Sequence, residues 1–180
     1  TSHHILLDGW SMPILLKELF ALYASRGDAR ALPAVAPYRN YLSWYRQQDR
    51  TGAEQAWQAA FAGLQEPTKL ATTPAATSGR QEMLSLRLPQ ALSEALTRQA
   101  RLHSLTLNTL VQGAWGALLG RLTGRQDVVF GITVSGRPPE LQGVEGMVGL
   151  FINTLPVRMQ FKPSEPMIQA LARLPDEQSS

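Results

Sequence analysis

The sequence predicts an α/β protein, or an α+β protein in which strands and helices form layers. Apolar side chains recur at helical spacing in several stretches, and short alternating or β-branched segments lie between them. Elements of both kinds pack into layers around a shared core. At 180 residues, with 44% hydrophobic and 17% charged residues, the chain can bury a substantial core.

Helices are expected to dominate the first part of the chain. Ser11 is a favourable helix N-cap residue, and apolar positions recur at helical spacing from there to Gly27. A second helical stretch follows Pro37 and carries aromatic side chains at helical spacing, which is more typical of packing than of ligand contact. Its aromatic members are Tyr38, Tyr41, Trp44 and Tyr45. A third helix is expected near residues 53–62.

A change of composition divides the chain into two predicted lobes. Residues 67–80 form a low-complexity tract rich in Thr, Ala and Pro, which is typical of an exposed linker. The first lobe would then span residues 1–66 and the second residues 81–175. The tail, residues 176–180, is expected to be disordered.

Strands and helices alternate after this tract. Residues 83–88 alternate between apolar and polar side chains, which predicts a half-buried strand. Pro89 opens a helix that reaches about His103, where a helix end favours positive charge; this histidine is assigned no chemistry.

A further helix is expected to begin at Thr106 and to end at Gly124. Three small residues within it indicate close packing against another element: Gly113, Gly116 and Gly120. Residues 128–134 and 152–161 are predicted strands, and residues 166–174 a helix.

Composition also argues against several classes of protein. The absence of Cys excludes disulfides and thiolate metal sites, and it suits a cytoplasmic location. No apolar run reaches the roughly 20 residues that span a bilayer, so no membrane association is expected. The formal charge of +3 is modest and the arginines are scattered, which disfavours a nucleic-acid partner.

The densest group of chemically active residues lies at the start of the chain. His3 and His4 are followed by three apolar residues, Asp8 and Gly9. Histidine is well suited to move a proton near neutral pH. In an extended segment one imidazole would face a site while the other packs inward, and Gly9 would permit a turn or a close approach. Two other interpretations stay open: a metal site, although adjacent histidines seldom converge on one ion, and a structural histidine pair.

Three motifs carry a resemblance to a known family. Residues 3–9 match the HHxxxDG signature of the condensation domains of nonribosomal peptide synthetases, which is shared with chloramphenicol acetyltransferase-like acyltransferases. Residues 38–44 and 148–158 resemble two further motifs of the condensation family, in the family order. Asn40 departs from the family pattern, in which Asp is usual. The resemblance covers nearly the whole chain.

The resemblance implies a chloramphenicol acetyltransferase-like two-lobe fold with the histidine motif at the cleft between the lobes. It further implies a fragment that lacks the N-terminal part of the domain. The implied reaction, in antibiotic biosynthesis and secondary metabolism, forms a peptide bond between thioesters on phosphopantetheine arms. The expected partners are the carrier domains that deliver these arms, an adjacent adenylation domain and the missing N-terminal lobe. No cofactor or metal bound by the chain itself is expected.

Site roles follow from the same resemblance. His4 would accept the amine proton or orient the amine, while His3 packs and hydrogen-bonds beside it. Asp8 would be held ionised by Arg137, which lies in the matching Ser-Gly-Arg segment, and Gly9 completes the supporting set. Two alternatives remain: a coenzyme A-dependent acyltransferase of the same superfamily, and a noncatalytic lobe fragment used for docking.

Overall fold

The computed structural model describes residues 3–70 and 82–179. The described residues form a mixed structure of helices and one strand pair, as the alternating sequence pattern predicts. The helices are α1 (Ser11–Ala24), α2 (Arg39–Arg46), α3 (Arg50–Ala60), α4 (Gln90–Leu102), α5 (Leu107–Thr123) and α6 (Met167–Ser179). The strands are β1 (Asp127–Ser135) and β2 (Ile152–Gln160), and short 3₁₀ turns lie at Ala29–Ala31 and Val144–Gly146. No described helix has the length and apolar character needed to cross a membrane.

Strands β1 and β2 pair with each other in one two-stranded sheet. Backbone hydrogen bonds just beyond the paired residues fix the direction and the register. The Gly136 N–H donates to the Phe151 carbonyl over 2.8 Å, and the Phe161 N–H donates to the Gln126 carbonyl over 2.7 Å. Because the early end of β1 meets the late end of β2, the pair is antiparallel. Both predicted strands are confirmed.

The residues group into two compact units, each made of segments that are distant in sequence. One unit combines the described residues up to Gly52 with Ile132–Leu155, and the other combines those of Ala53–Gly131 with those from Pro156 onward. These units differ from the predicted consecutive lobes, because composition marks breaks in a chain but does not show which segments return to pack together. Residues 71–80 of the predicted linker lie outside the described residues, so the linker stays a prediction.

Helix α5 confirms the sequence prediction at both ends and along its packed face. The Thr106 hydroxyl accepts a hydrogen bond from the Thr109 N–H, and Gly124 ends the helix in the left-handed region at φ 68°. Three glycines allow neighbours to approach the helix where a Cβ would collide. The neighbours are Leu171 at Gly113, Met159 and Phe130 at Gly116, and the Arg125 carbonyl at Gly120.

One sequence prediction about local structure is wrong. Residues 82–89 are not a strand, and Met83, Leu84 and Leu86 are 93%, 95% and 87% exposed. An alternating pattern produces a half-buried strand only when a partner strand and a core face are available, and the described residues supply neither. At the other end of this unit, helix α6 continues through residues 176–179, where the sequence predicts a disordered tail.

Candidate functional site

The histidine motif forms a turn. The Leu6 N–H donates to the His3 carbonyl over 2.9 Å, and the Ile5 N–H donates to His3 Nδ1 over 3.1 Å. Both imidazoles are exposed. The predicted extended segment and the predicted inward packing of His3 are therefore wrong, because the local turn leaves the two rings on the surface of the described chain. Within residues 3–70 and 82–179, no hydrogen bond or ion pair is made by the His4 imidazole.

Asp8, at the other end of the motif, is buried and holds several donors. Its Oδ1 accepts the Ser11 N–H at 2.9 Å and the Ser11 hydroxyl at 2.8 Å. Its Oδ2 accepts the Phe151 N–H at 3.2 Å. Arg137 Nη2 lies 3.4 Å from Oδ1, and both side chains are 4% exposed. The predicted ion pair between Asp8 and Arg137, 129 positions apart, is confirmed.

Ser11 is fully buried and is the first residue of α1 rather than its N-cap. Trp10 holds the N-cap position and makes no side-chain capping bond, while the Asp8 carboxylate accepts the Ser11 N–H. The Ser11 hydroxyl instead reaches the segment that precedes β2, where the Gly149 N–H donates to it over 3.0 Å. Sequence reasoning missed this contact because Ser before a helix is a common local signal, and nothing in the sequence marks a partner 138 positions away.

Arg137 is held on several sides besides Asp8. Its Nη1 donates to the carbonyls of Val144 and Met147 at 2.5 and 2.9 Å. The guanidinium carbon lies 3.8 Å from the centre of the Phe151 ring, a cation–π distance. Its Nε is buried without a hydrogen-bond partner among the described residues. The planar donor group is thereby fixed in one orientation, as a carboxylate partner requires.

The environment of Asp8 holds its carboxyl in the charged form. Burial alone would raise the pKa of Asp8. Hydrogen bonds from the Ser11 hydroxyl, the Ser11 N–H and the Phe151 N–H outweigh burial, together with the positive charge of Arg137, and the pKa lies below the usual 3.8. A buried acceptor with this many donors stays ionised at neutral pH.

The other two motif segments meet at Gly149. Its carbonyl accepts the Asp8 N–H at 3.0 Å, and the Tyr38 hydroxyl donates to the neighbouring Leu150 carbonyl at 2.5 Å. A Cβ on Gly149 would collide with the Tyr38 ring, so only glycine fits there without a shift. Residues from all three sequence motifs therefore lie in direct contact, within one compact unit.

Aromatic rings close this cluster. The Tyr38 and Tyr41 ring centres lie 5.1 and 4.7 Å from that of Phe151, which packs with Val144 and Met147 in a small core. Burial raises the pKa of both Tyr38 and Tyr41. The prediction that the aromatic stretch packs rather than binds a ligand agrees with these contacts.

Gly9 is exposed, and a Cβ added to it would meet no atom within 4 Å. A close approach at this glycine, one of the predicted reasons for it, is therefore not seen among the described residues. No group of three or more His, Cys, Asp or Glu side chains that could hold a metal ion occurs in residues 3–70 or 82–179. Of the predicted site residues, Asp8 and Arg137 are the ionisable ones that the structure brings into contact, at one end of the histidine turn.

Together these features define a base-bearing loop anchored by a buried ion pair. An exposed imidazole can exchange a proton with a bound group, and the anchored carboxylate fixes the backbone that carries it.

Solved structures with a similar fold include the first condensation domain of the CDA synthetase, at 28% identity and a TM-score of 0.75. That match covers 98% of this chain and 41% of the other. The SgcC5 protein from Streptomyces globisporus, at 22% identity, has a TM-score of 0.76 over 98% of this chain and 42% of that one, and shows the fold alone.

The chain belongs to the Condensation domain family, whose match extends over residues 1–180. It is 46% identical to a linear gramicidin synthase protein of Brevibacillus parabrevis, over 99% of this chain and 4% of that protein. It is 38% identical to bacitracin synthase 3 of Bacillus licheniformis, over 97% of this chain and 3% of that protein. The chain thus spans a few per cent of the length of these curated relatives. The predicted family and the predicted acetyltransferase-like α/β fold class are confirmed.

Proposed function

We propose that this chain contributes the histidine loop of a condensation domain that forms peptide bonds between carrier-bound thioesters. One observation carries the proposal: the three motif segments converge on the buried Asp8–Arg137 pair, while His4 stays exposed four residues before Asp8. A loop that is anchored at Asp8 and presents an imidazole without a hydrogen-bond partner among the described residues suits a reaction whose substrates are delivered by other domains. The family membership of the chain supports the same class of reaction.

The reaction that we propose needs one proton to move. The acceptor amine attacks the donor thioester carbonyl, a C–N bond forms, and the C–S bond breaks. His4 either accepts the proton that the amine loses or orients the amine, and the departing thiolate takes up a proton. General-base catalysis contributes typically about 10²–10⁴-fold, and positioning can add more. Asp8 and Arg137 hold the loop in place.

His3 and Gly9 complete the proposed site in supporting roles. His3 Nδ1 accepts the Ile5 N–H and so stabilises the turn that presents His4. Gly9 connects the anchored Asp8 to helix α1. Neither residue is proposed to touch the reacting atoms.

The substrates would be carried on phosphopantetheine arms of peptidyl or acyl carrier domains, with an adenylation domain as neighbour. The relatives are gramicidin and bacitracin synthases, which supports partner domains of this kind. We propose a cytoplasmic location for the assembly. This chain covers 41% of a solved condensation domain. We therefore propose that residues 1–180 alone are inactive, because an N-terminal lobe would supply the other wall of the site and exclude water from it.

The test compares two histidine substitutions in an intact condensation domain that contains this sequence. His4→Ala should lower the rate of peptide-bond formation between loaded carrier proteins by about two orders of magnitude. His103→Ala is the matched control, because His103 is an exposed residue at the C-cap of α4 in the other unit, and its rate should equal that of the wild type. Near-normal turnover by His4→Ala would remove His4 from the mechanism.

A second arm of the assay separates the rival activity. Coenzyme A thioesters and carrier-bound thioesters are offered as donors at equal concentration. Preference for the carrier-bound donor supports the condensation reaction. Transfer from the coenzyme A thioester alone would instead identify the smaller acyltransferase class.

A further inference from the structure

We propose that Ser11 is a positioning residue for His4, an inference that rests on the proposed function. Its fully buried hydroxyl joins the histidine segment to the segment before β2. Ser11 Oγ lies 2.8 Å from Asp8 Oδ1 and 2.9 Å from the Gly149 carbonyl, and it accepts the Gly149 N–H at 3.0 Å. One hydroxyl thus connects two of the three motif segments.

The number of donors and acceptors determines the direction of each of these hydrogen bonds. A serine hydroxyl has one proton and here faces two acceptors. The Gly149 carbonyl already receives the Asp8 N–H at 3.0 Å, and a bond to an ionised carboxylate is the stronger one. The hydroxyl therefore donates to Asp8, and its oxygen receives the Gly149 N–H. Arg137 Nη2 also lies 3.4 Å from this oxygen. Among the described residues, the Gly149 N–H depends on the Ser11 hydroxyl for its hydrogen bond, and Asp8 Oδ1 takes one of its donors from it.

The junction matters for His4 because the imidazole has no anchor of its own within residues 3–70 and 82–179. Its position follows from the turn at His3 and from the attachment of Asp8 to Gly149. Without the hydroxyl, the Gly149 N–H would be buried without a partner and Asp8 would lose one donor. The loop would then be held less tightly, and a displacement of about 1 Å can cost on the order of 10²-fold in rate.

Ser25, at the other end of α1, provides a matched control. Its hydroxyl is partly buried and lies 3.2 Å from the Leu22 carbonyl and 3.1 Å from the Asp28 carbonyl. Ser25→Ala removes the same hydroxyl group from the far end of α1. Both of these hydrogen bonds are made to residues within three positions of Ser25, at the end of α1 away from the histidine turn.

The experiment measures condensation kinetics in an intact condensation domain that contains this sequence, with loaded carrier proteins. Ser11→Ala should lower kcat about tenfold while KM for both carriers stays within about twofold. Ser25→Ala should leave both constants unchanged. Thermal unfolding of each variant gives the folded fraction, by which the rates are corrected. In the His4→Ala background, Ser11→Ala should have no further effect, because it acts through His4.

A spectroscopic measurement tests the same inference without turnover. With ¹³C-labelled histidine, the His4 ring signal should shift or broaden in Ser11→Ala and stay unchanged in Ser25→Ala, while the His103 signal stays constant in both. Absence of condensation in the wild type would refute the proposed function alone, since the His4 signal still reports the positioning role.

Three results would overturn the inference. The first is a normal kcat for Ser11→Ala. The second is a loss of kcat from Ser11→Ala that is as large in the His4→Ala background as in the wild type. The third is an unchanged His4 signal in Ser11→Ala. If Ser11→Ala does not fold, Ser11→Cys keeps the shape of the side chain with a weaker donor. It should give a kcat below that of the wild type and a shifted His4 signal. Wild-type values for Ser11→Cys would then count against the role of the hydroxyl.

Discussion

Each of the two compact units contains an arginine–aspartate pair that joins segments distant in sequence, and these two pairs differ in kind. In the first unit, Arg137 lies 3.4 Å from Asp8 and both side chains are 4% exposed. In the second, Arg158 lies 2.7 Å from Asp127, and the side chains are 15% and 32% exposed. The closer pair is the more solvated one. Distance alone therefore does not rank the two pairs.

The partners around each pair explain what it does. Arg158 contacts both carboxylate oxygens of Asp127 and donates to the Ala60 and Ala62 carbonyls at the end of α3, a favourable place for a cation. It ties a helix end to the sheet. Asp8, by contrast, takes most of its hydrogen bonds from Ser11 and Phe151, so Arg137 mainly balances a buried charge. Geometry strengthens the Arg158 pair, whereas burial makes the Asp8 pair costly to break.

The largest expected effect is the loss of one member of the buried pair. Arg137→Ala should lower the free energy of unfolding by about 3–5 kcal/mol, because Asp8 would be left buried without its counter-charge. Chemical denaturation at neutral pH measures the change. A loss below about 1 kcal/mol would mean that water reaches Asp8 readily and that the two pairs are alike.

Acid should weaken both pairs, because the pKa of each aspartate lies below the usual 3.8 in the folded chain. For Asp127 the chief cause is its hydrogen bond with Arg158. A group with a depressed folded pKa stabilises the fold above its unfolded pKa, and this contribution is lost as pH falls through the folded value. Stability should therefore decline below about pH 4. Asp8→Asn and Asp127→Asn should each make the free energy of unfolding fall less steeply with acid, as measured by denaturation from about pH 2 to 6. If either variant kept the wild-type pH dependence, that aspartate would not be a source of the decline.

Breaking the more exposed pair should cost less. Arg158→Ala should lower the free energy of unfolding by about 1–2 kcal/mol, since Asp127 keeps access to water and to the Gln160 side chain. Raising the salt concentration should reduce the effect of Arg158→Ala more than that of Arg137→Ala. If the same denaturation series gave equal losses of unfolding free energy for the two arginine variants, the buried and the exposed pair would not differ in strength.

The smallest effect is expected at His3, which shares a segment with Asp8 but is exposed. His3→Ala should change the free energy of unfolding by no more than about 0.5 kcal/mol, as for most surface substitutions. A buried histidine would instead predict a clear loss of stability on the same substitution. A loss above about 1 kcal/mol in thermal or chemical unfolding would indicate that His3 is covered in the intact domain.

Local signals were sufficient for much of the secondary structure. Thr106 and Gly124 determine the ends of α5 through bonds and dihedral angles within a few residues of each end. The β-branched run that forms β1 was equally readable. The Asp8–Arg137 pair was also predicted, because a buried carboxylate needs a counter-charge and the family resemblance named a candidate for it.

The partners of these residues, by contrast, depend on how the chain folds back on itself. Local pattern was enough to indicate most of the helices, the two strands, the family and the ionisable residues of the histidine motif. It could not show that Ser11 binds Gly149, that His3 lies exposed on a turn, or that Arg158 binds the end of α3. Nor could it show that residues 83–88 lack a partner strand among the described residues. The Ser11 and Arg158 contacts and the unpaired segment depend on which distant segments meet, and local periodicity carries no information about that. The turn at His3 is local, but it rests on hydrogen bonds that periodicity does not indicate.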